Sequence, residues 1–152
     1  MTKAFDRVPH TELLMKLESY GISGKLHTWF SSYLAARSQS VMVGEFMSLP
    51  KPVKSGVIQG SLLGPLLFLL YINDVFQVFK HGTPYLFAND IKIVFLFHPS
   101  NFHNATSHIQ YDLRALTAWC DIWKLAFTPS KCNVFTYRCT MPPNTLMLQG
   151  TP

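Results

Sequence analysis

The spacing of apolar and polar positions predicts two amphipathic helices early in the chain. The first follows Pro9 and covers residues 11–20, with leucines three and four positions apart. The second covers residues 25–37 and has one apolar, aromatic face. Ahead of both, Ala4 and Phe5 are predicted to end a strand that Pro9 closes.

The middle of the chain predicts a hairpin, then a loop and a buried helix. Two strands are expected at residues 38–43 and 46–53, joined by a Gly-Glu turn. Residues 55–74 then combine a small polar loop containing Gly56 and Gly60 with a nearly continuous apolar helix. The helix is expected to start after a Ser61 cap and to continue to about residue 80. Its apolar run is shorter than the ~20 residues that cross a bilayer, so a protein core is predicted around it.

The second half of the chain also predicts both strands and helices. Residues 83–88 and 91–97 are predicted strands of a tight hairpin with Asn89 and Asp90 at its tip. A loop at 98–106, a helix at 107–125 and a last strand at 133–138 follow. The sequence thus predicts one α+β domain over residues 1–138 and a disordered tail over residues 139–152.

The amino-acid composition excludes some classes of protein and favours others. Hydrophobic residues make up 48% of the 152 positions and charged residues 14%, which excludes intrinsic disorder. The formal net charge of +5 favours nucleic acid or an anionic membrane as a partner. Three cysteines without a CxxC pair predict neither a disulfide framework nor a zinc site, and favour a reducing, intracellular compartment. The start of the chain does not predict a secretory signal.

The chain contains four distinctive sequence motifs. They are KAFDRVPH at residues 3–10, SGVIQGSLLGPLLFLLYIND at 55–74, LFANDIKI at 86–93 and WCDIWKLAFTPSKC at 119–132. In these motifs and their spacing the chain resembles the reverse transcriptases of non-LTR (LINE-type) retrotransposons. The resemblance implies a palm-like antiparallel sheet backed by helices, with fingers and thumb incomplete. It also implies RNA-directed DNA polymerisation from dNTPs on an RNA template and a DNA primer, with Mg²⁺ as cofactor.

The resemblance assigns roles to five residues. Phe5 matches the aromatic residue that blocks a ribose 2′-hydroxyl and so selects dNTPs. Gln59 and Gly60 match the loop that touches the template and the incoming nucleotide. Asp90 matches the second acid of the family's F-A-D-D hairpin tip, and Lys131 a lysine near the triphosphate that could protonate the leaving pyrophosphate.

Two departures from the family pattern predict a loss of catalysis. The first metal-binding aspartate of the family would precede Met1, which predicts a truncated copy. Asn89 stands at the degenerate position of the next metal-binding aspartate, and an amide carries no negative charge. Asp90 alone is left as a metal ligand, so weak Mg²⁺ binding at most is expected. Ile58 and Thr128 replace a proline and an asparagine that are common in the family.

Each of these assignments has an alternative in which the residue has only a structural role. Without the family, Asn89 and Asp90 are ordinary turn residues, Phe5 belongs to the core, and Lys131 is a solvated lysine. Asp6 is expected to be structural, and Trp119 to pack in the core rather than stack on a base.

Three functions therefore stay open. The chain is a polymerase completed by parts supplied in trans, a non-catalytic nucleic-acid-binding remnant, or a decayed reading frame without function. Binding by the remnant would use the Gln59 loop and scattered lysines, and would weaken steeply with salt. A decayed reading frame would lack a cooperative unfolding transition. The lysines in question are Lys51, Lys54, Lys92 and Lys124.

Overall fold

The computed structural model describes residues 1, 3–137, 146 and 148. These residues form two units, the first made of residues 3–72 and the second of residue 1 and the described residues from 73 onward. Both units combine helices with short antiparallel strand pairs, which confirms the predicted α+β class. No helix of the described residues has the length and apolar character needed to cross a bilayer.

The first unit contains four helices and four two-residue strands. The helices are α1 (Ala4–Arg7), α2 (His10–Ser19), α3 (Gly24–Leu34) and α4 (Leu63–Ile72). The strands are β1 (Ser38–Gln39), β2 (Met42–Val43), β3 (Phe46–Met47) and β4 (Lys51–Pro52). β1 pairs with β4 and β2 pairs with β3, both antiparallel. The two helices predicted from spacing are confirmed, and the predicted strands are present but much shorter.

The core of the first unit lies where α2 meets α3 and α4. Leu13 and Leu17 of α2 are fully buried, as are Leu67 and Phe68 of α4. Lys16 lies on the same buried face, and its ammonium donates a 2.6 Å hydrogen bond to the backbone oxygen of Tyr71. The spacing of apolar residues on α2 therefore marks the buried face correctly, with one lysine added to it.

The prediction that a strand ends at Ala4 and Phe5 is wrong. These residues begin α1, whose first hydrogen bonds run from Asp6 N and Arg7 N to Lys3 O. An apolar pair of this length cannot distinguish a strand from a helical turn by periodicity. The backbone hydrogen bonds to Lys3 O define the helical turn, and Ala4 is its buried residue at 3% exposure.

The second unit has one long helix and one longer hairpin. The helix is α5 (Phe102–Ile122), and the hairpin strands are β5 (Thr83–Phe87) and β6 (Asp90–Val94). Short 3₁₀ helices lie at Asn73–Val78, Pro99–Asn101 and Pro129–Lys131. α5 packs against the first of these. Its buried positions include Ile109, Leu116 and Cys120, which confirms the predicted apolar stripe.

Three boundaries in the second half differ from the prediction. The apolar helix ends at Ile72 and continues as a 3₁₀ helix, because Asn73 and Asp74 favour local side-chain bonding over regular helix. α5 begins at Phe102, within the predicted loop. Residues 133–137 are irregular, so the predicted strand is wrong there. The predicted disordered tail lies outside the described residues, apart from 146 and 148.

A carboxylate and a thiol are among the groups buried on α5. The Asp112 carboxylate, 0% exposed, accepts backbone hydrogen bonds from Lys80, His81 and Gly82 at 3.0, 3.0 and 2.7 Å. These bonds attach the segment that leads into β5 to the middle of α5. Burial, with a smaller contribution from the neighbouring Asp121 carboxylate, raises the pKa of the Cys120 thiol to about 12. The thiol is therefore an inert part of the core at neutral pH.

Candidate nucleotide and nucleic-acid site

The first two motifs of the sequence lie side by side in the first unit. Gly56 N donates to Val8 O at 2.7 Å, and Val57 N donates to Phe5 O at 2.8 Å. The Ser55 hydroxyl adds a 2.9 Å bond to the backbone oxygen of Asp6. Residues 55–61, here called the Gly60 loop, are thus attached along α1 mainly by backbone contacts that do not depend on side-chain identity.

Gly56 is the residue that allows this close approach. Its φ of 97° lies in the left-handed region, and a Cβ there would come within 2.9 Å of Asp6 Cα. Any side chain would force the loop away from α1. The sequence therefore requires glycine at this position for both conformation and space.

The far end of the Gly60 loop is fixed to α4. The Ser61 hydroxyl accepts a 2.9 Å bond from Gly64 N and donates a 2.8 Å bond to Ile58 O. This confirms the predicted helix cap at Ser61. A Cβ on Gly64 would clash with the backbone oxygen of Ile58, so the loop folds tightly over the start of α4.

A pocket of about 230 Å³ opens between these elements. It is lined by Phe5, Ile58, Gln59, Gly60 and Pro65. Three of the predicted site residues, Phe5, Gln59 and Gly60, therefore line one pocket. The ring of Phe5 stacks on that of Phe68, with centroids 4.4 Å apart, so the buried α4 core supports the pocket wall.

Gln59 is held in one orientation by Asp6. The Gln59 side-chain Nε2 donates a 2.7 Å hydrogen bond to Asp6 Oδ1. Because the NH₂ group is used in this way, Oε1 is the atom left to accept a bond from a ligand in the pocket. Asp6, expected from the sequence to be structural, supports the site by fixing this amide.

The β5–β6 hairpin differs by one residue from the prediction. Phe87 pairs with Asp90, so its two turn residues are Ala88 and Asn89 rather than Asn89 and Asp90. Ala88 has a φ of 50°, the left-handed conformation that glycine or asparagine usually takes in such turns. Asp90 is the first residue of β6.

The residues of this turn do not fit the magnesium centre that the resemblance implies. The Asn89 amide donates to Met1 O at 3.4 Å, and the Asn89 backbone oxygen accepts from the Met1 amino group at 3.1 Å. Asp90 is exposed. Within the described part of the chain no three His, Cys, Asp or Glu side chains are placed to hold one ion. Since Mg²⁺ requires hard, charged oxygen ligands, one carboxylate beside an amide is a poor donor set.

One face of the hairpin shows functional candidates that the sequence did not reveal. Tyr85 and Phe87 are 56% and 84% exposed. They lie cross-strand from Lys92 and Asp90, which are exposed as well. We call these four residues the exposed hairpin face. The signal in the sequence was the alternation of residues 83, 85 and 87, which the apolar character of the whole strand concealed.

The other residues predicted to bind or catalyse do not line the pocket. Lys131 is exposed at the end of its 3₁₀ helix, and Lys51 and Lys54 are exposed in the first unit. Trp119 is only 6% exposed, which confirms that it packs in the core. Asn89, Asp90 and Lys131 belong to the second unit, whereas the pocket belongs wholly to the first.

Comparison with known proteins identifies the family. Residues 1–146 match the family model described as reverse transcriptase (RNA-dependent DNA polymerase). The chain therefore belongs to the reverse transcriptase family, and the resemblance to non-LTR retrotransposon enzymes is confirmed.

Three curated relatives come from Drosophila melanogaster. The chain is 34% identical over 145 residues to a probable RNA-directed DNA polymerase from transposon BS, with 86% of the chain covered. Identity is 33% to the corresponding protein of transposon X-element and 31% to that of mobile element jockey, over 93% and 89% of the chain. The chain spans only 15–16% of the length of these relatives. No solved structure matches it significantly.

Proposed function

We propose that this chain is a palm region of a non-LTR retrotransposon reverse transcriptase that binds nucleic acid and nucleotide without catalysing nucleotide transfer. The observation that carries the proposal is Asn89, whose amide stands at the hairpin turn where the family pattern has a metal-binding carboxylate. Family members join nucleotides at paired metal ions held by acids, so losing a carboxylate removes ligand charge at the reacting centre.

Binding is supported by features that need no metal. The pocket combines the aromatic ring of Phe5 with the oriented amide of Gln59, a pairing suited to a sugar and a base edge. The exposed hairpin face offers Tyr85 and Phe87 for stacking and Lys92 for a phosphate. RNA template, DNA primer and dNTP are the proposed partners, and a nuclear or cytoplasmic location inside the cell follows from them.

Loss of synthesis is the first consequence to test. The purified chain is expected to give no template-dependent primer extension with Mg²⁺ or Mn²⁺. The Asn89→Asp variant places two adjacent carboxylates at the turn, so we expect it to bind Mn²⁺ roughly tenfold or more tightly than the wild-type chain. Paramagnetic broadening of NMR signals from residues 86–92 measures this affinity without requiring activity.

The matched control is Asn89→Asp combined with Asp90→Asn, which keeps the wild-type charge and should lose the gain in Mn²⁺ affinity. DNA synthesis by the wild-type chain would refute the proposed inactivity. Equal Mn²⁺ affinity in all three proteins would show that this turn is not the degenerate metal position.

Nucleic-acid binding is the second consequence. Replacing Tyr85 and Phe87 together with alanine should weaken single-stranded RNA binding about 30-fold or more, since two stacked bases contribute ~1–3 kcal/mol each. Fluorescence anisotropy with a labelled oligonucleotide at several salt concentrations is the measurement, and affinity should fall with salt. Leu96→Ala is the control, because Leu96 is 92% exposed in the same unit and carries no aromatic ring. Equal weakening by both changes would argue against stacking.

A further inference from the structure

The segment that leads into β5 places a histidine face to face with a histidine of α5. The rings of His81 and His108 are parallel, with an interplanar angle of 1° and centroids 3.9 Å apart. His81 also packs edge to face with Tyr111, the neighbour of His108 along α5, at a centroid distance of 5.5 Å. The Lys80 ammonium lies 5.7 Å from the centre of the Tyr111 ring. We call these four residues the histidine platform.

The histidine platform is held in place by the buried Asp112 carboxylate. Asp112 accepts hydrogen bonds from three consecutive backbone N–H groups, those of Lys80, His81 and Gly82. The backbone that carries two residues of the platform is thereby attached to the helix that carries the other two. Both carboxylate oxygens are used in these bonds, so N–H dipoles offset the charge of Asp112. A surface fixed in this way before a ligand arrives loses little conformational entropy on binding.

The chemistry of the histidine platform suits a single strand of nucleic acid. All four of its residues are exposed. The stack covers one face of each imidazole, so a further flat ring can be added to it, and histidine is one of the residues on which unpaired bases stack. A cation–π contact does not neutralise an ammonium, so Lys80 keeps its positive charge for a phosphate. Aromatic rings beside a cation are the combination that binds single strands.

The histidine platform adjoins the exposed hairpin face along the chain. His81 precedes Tyr85 by four residues and Phe87 by six, and both surfaces belong to the second unit. Six residues of fully extended chain span at most about 22 Å. An RNA strand several nucleotides long is therefore long enough to contact both surfaces at once.

We propose that the histidine platform is a second stacking site for single-stranded RNA, in which an unpaired base stacks on the His81–His108 pair and a neighbouring phosphate binds Lys80. This inference rests on the proposed function, because it takes an RNA bound at the exposed hairpin face and extends its path to α5. The platform adds one base contact and one phosphate contact to that path.

The geometry of the pair argues against a metal ion as its occupant. A ring nitrogen binds a metal ion through a lone pair that lies in the plane of its own ring. The planes of His81 and His108 are parallel and stacked, so one ion cannot lie in both. Within the described part of the chain, no three His, Cys, Asp or Glu side chains are placed to complete such a site.

Fluorescence anisotropy of the full chain with single-stranded RNA of about 12 nucleotides tests the inference. His108→Ala should weaken binding at least about fivefold, because the stacked base loses its support. His108→Phe, which keeps a flat ring at this position, should recover most of that affinity. A 2-aminopurine base in the RNA should be quenched on binding to the wild-type chain and to His108→Phe, and less so on His108→Ala.

Lys80→Gln separates the phosphate contact from the stacking contact. It should lower the slope of log affinity against log salt by about 0.7, the value for one phosphate of a single strand. His108→Ala should leave that slope unchanged. Lys25→Gln is the control for charge, because Lys25 is exposed on α3 in the first unit. It should change neither the affinity nor the slope.

His98→Ala is the control for loss of an imidazole. His98 is exposed in the same unit, but its ring bonds the Ser100 hydroxyl and not another ring. It should leave RNA affinity and quenching unchanged, and all variants should keep the thermal transition of the wild-type chain. Equal weakening by His98→Ala, or unchanged affinity and quenching in His108→Ala, would contradict the platform.

The failure of this inference can be told apart from the failure of the proposed function. RNA binding that is weakened by changing Tyr85 and Phe87 but not by changing His108 or Lys80 would overturn the inference alone. A wild-type chain that binds no RNA would overturn both. Zn²⁺ binding that His108→Ala abolishes, with RNA affinity unchanged, would overturn the inference in favour of a metal site.

Discussion

Replacing Asp112 with alanine is expected to destabilise the second unit by about 3–5 kcal/mol, because it leaves three backbone N–H groups of a buried turn without an acceptor. The carboxylate is fully buried and accepts from Lys80, His81 and Gly82 within 2.7–3.0 Å. Urea unfolding measures the loss of stability. Amide hydrogen exchange at residues 80–82 shows whether the loss begins at this turn.

Asp112→Asn refines the test. Asparagine has the same shape but turns an NH₂ group toward N–H donors, so we expect it to recover less than half of the lost stability. Asp121→Asn is the control on the same helix, where the side chain is exposed and the effect should stay within about 0.5 kcal/mol. An alanine variant as stable as the wild-type chain would mean that water replaces the carboxylate.

This turn also connects stability to the proposed binding surface. Gly82 directly precedes β5, the strand that carries Tyr85 and Phe87. If Asp112 holds the start of β5 in place, its removal should loosen the exposed hairpin face and weaken RNA binding, even at temperatures where the variant stays folded. The carboxylate therefore belongs to the support of the candidate site, although it lies in the core.

Asp112 illustrates what the sequence could not reveal. An isolated acidic residue in an amphipathic helix is typical of a surface position, and its partners lie 30–32 positions away. The helical stripe around it was predictable, because apolar spacing follows directly from helix geometry. Contacts between a side chain and distant backbone leave no periodic pattern, so only the folded chain shows them.

The hairpin turn shows a similar limit. Asn89 and Asp90 are both good turn formers, so local chemistry placed them together at the tip. The register is set instead by five cross-strand pairs from Thr83–Val94 to Phe87–Asp90, and these move the turn to Ala88 and Asn89. A shift of one residue changes which side of the strand a side chain occupies. The existence of the hairpin was predictable, but the orientation of Asp90 was not.

The pocket was the better-predicted part of the candidate site. Its residues come from two motifs about 50 positions apart, and the glycines of 55–61 already indicated a polar loop whose backbone can come close to a ligand. The structure shows that the close approach at Gly56 is instead to the chain itself, through backbone hydrogen bonds to the α1 segment. It also adds the contact between Gln59 and Asp6, which no spacing rule would have suggested.

Replacing Gly56 with alanine should therefore cost the first unit about 3–5 kcal/mol of stability. The new Cβ would meet the backbone of Asp6 and Phe5 within 2.9–3.0 Å, at a φ of 97° that L-residues rarely adopt. Because the obstructing atoms belong to backbone, no side-chain rotation can relieve the clash. The Gly60 loop would have to leave α1, which separates Phe5 from Gln59.

Gly21→Ala separates the clash from the backbone strain. Gly21 follows α2 at a φ of 85°, and a Cβ added there would have nothing within 4 Å, so only about 1 kcal/mol of conformational cost is expected. Urea unfolding of both variants measures the difference, and dNTP binding by the fraction still folded reports on the pocket. If the two substitutions cost the same, the close approach of the Gly60 loop to α1 does not exist in solution, and the pocket between them loses its support.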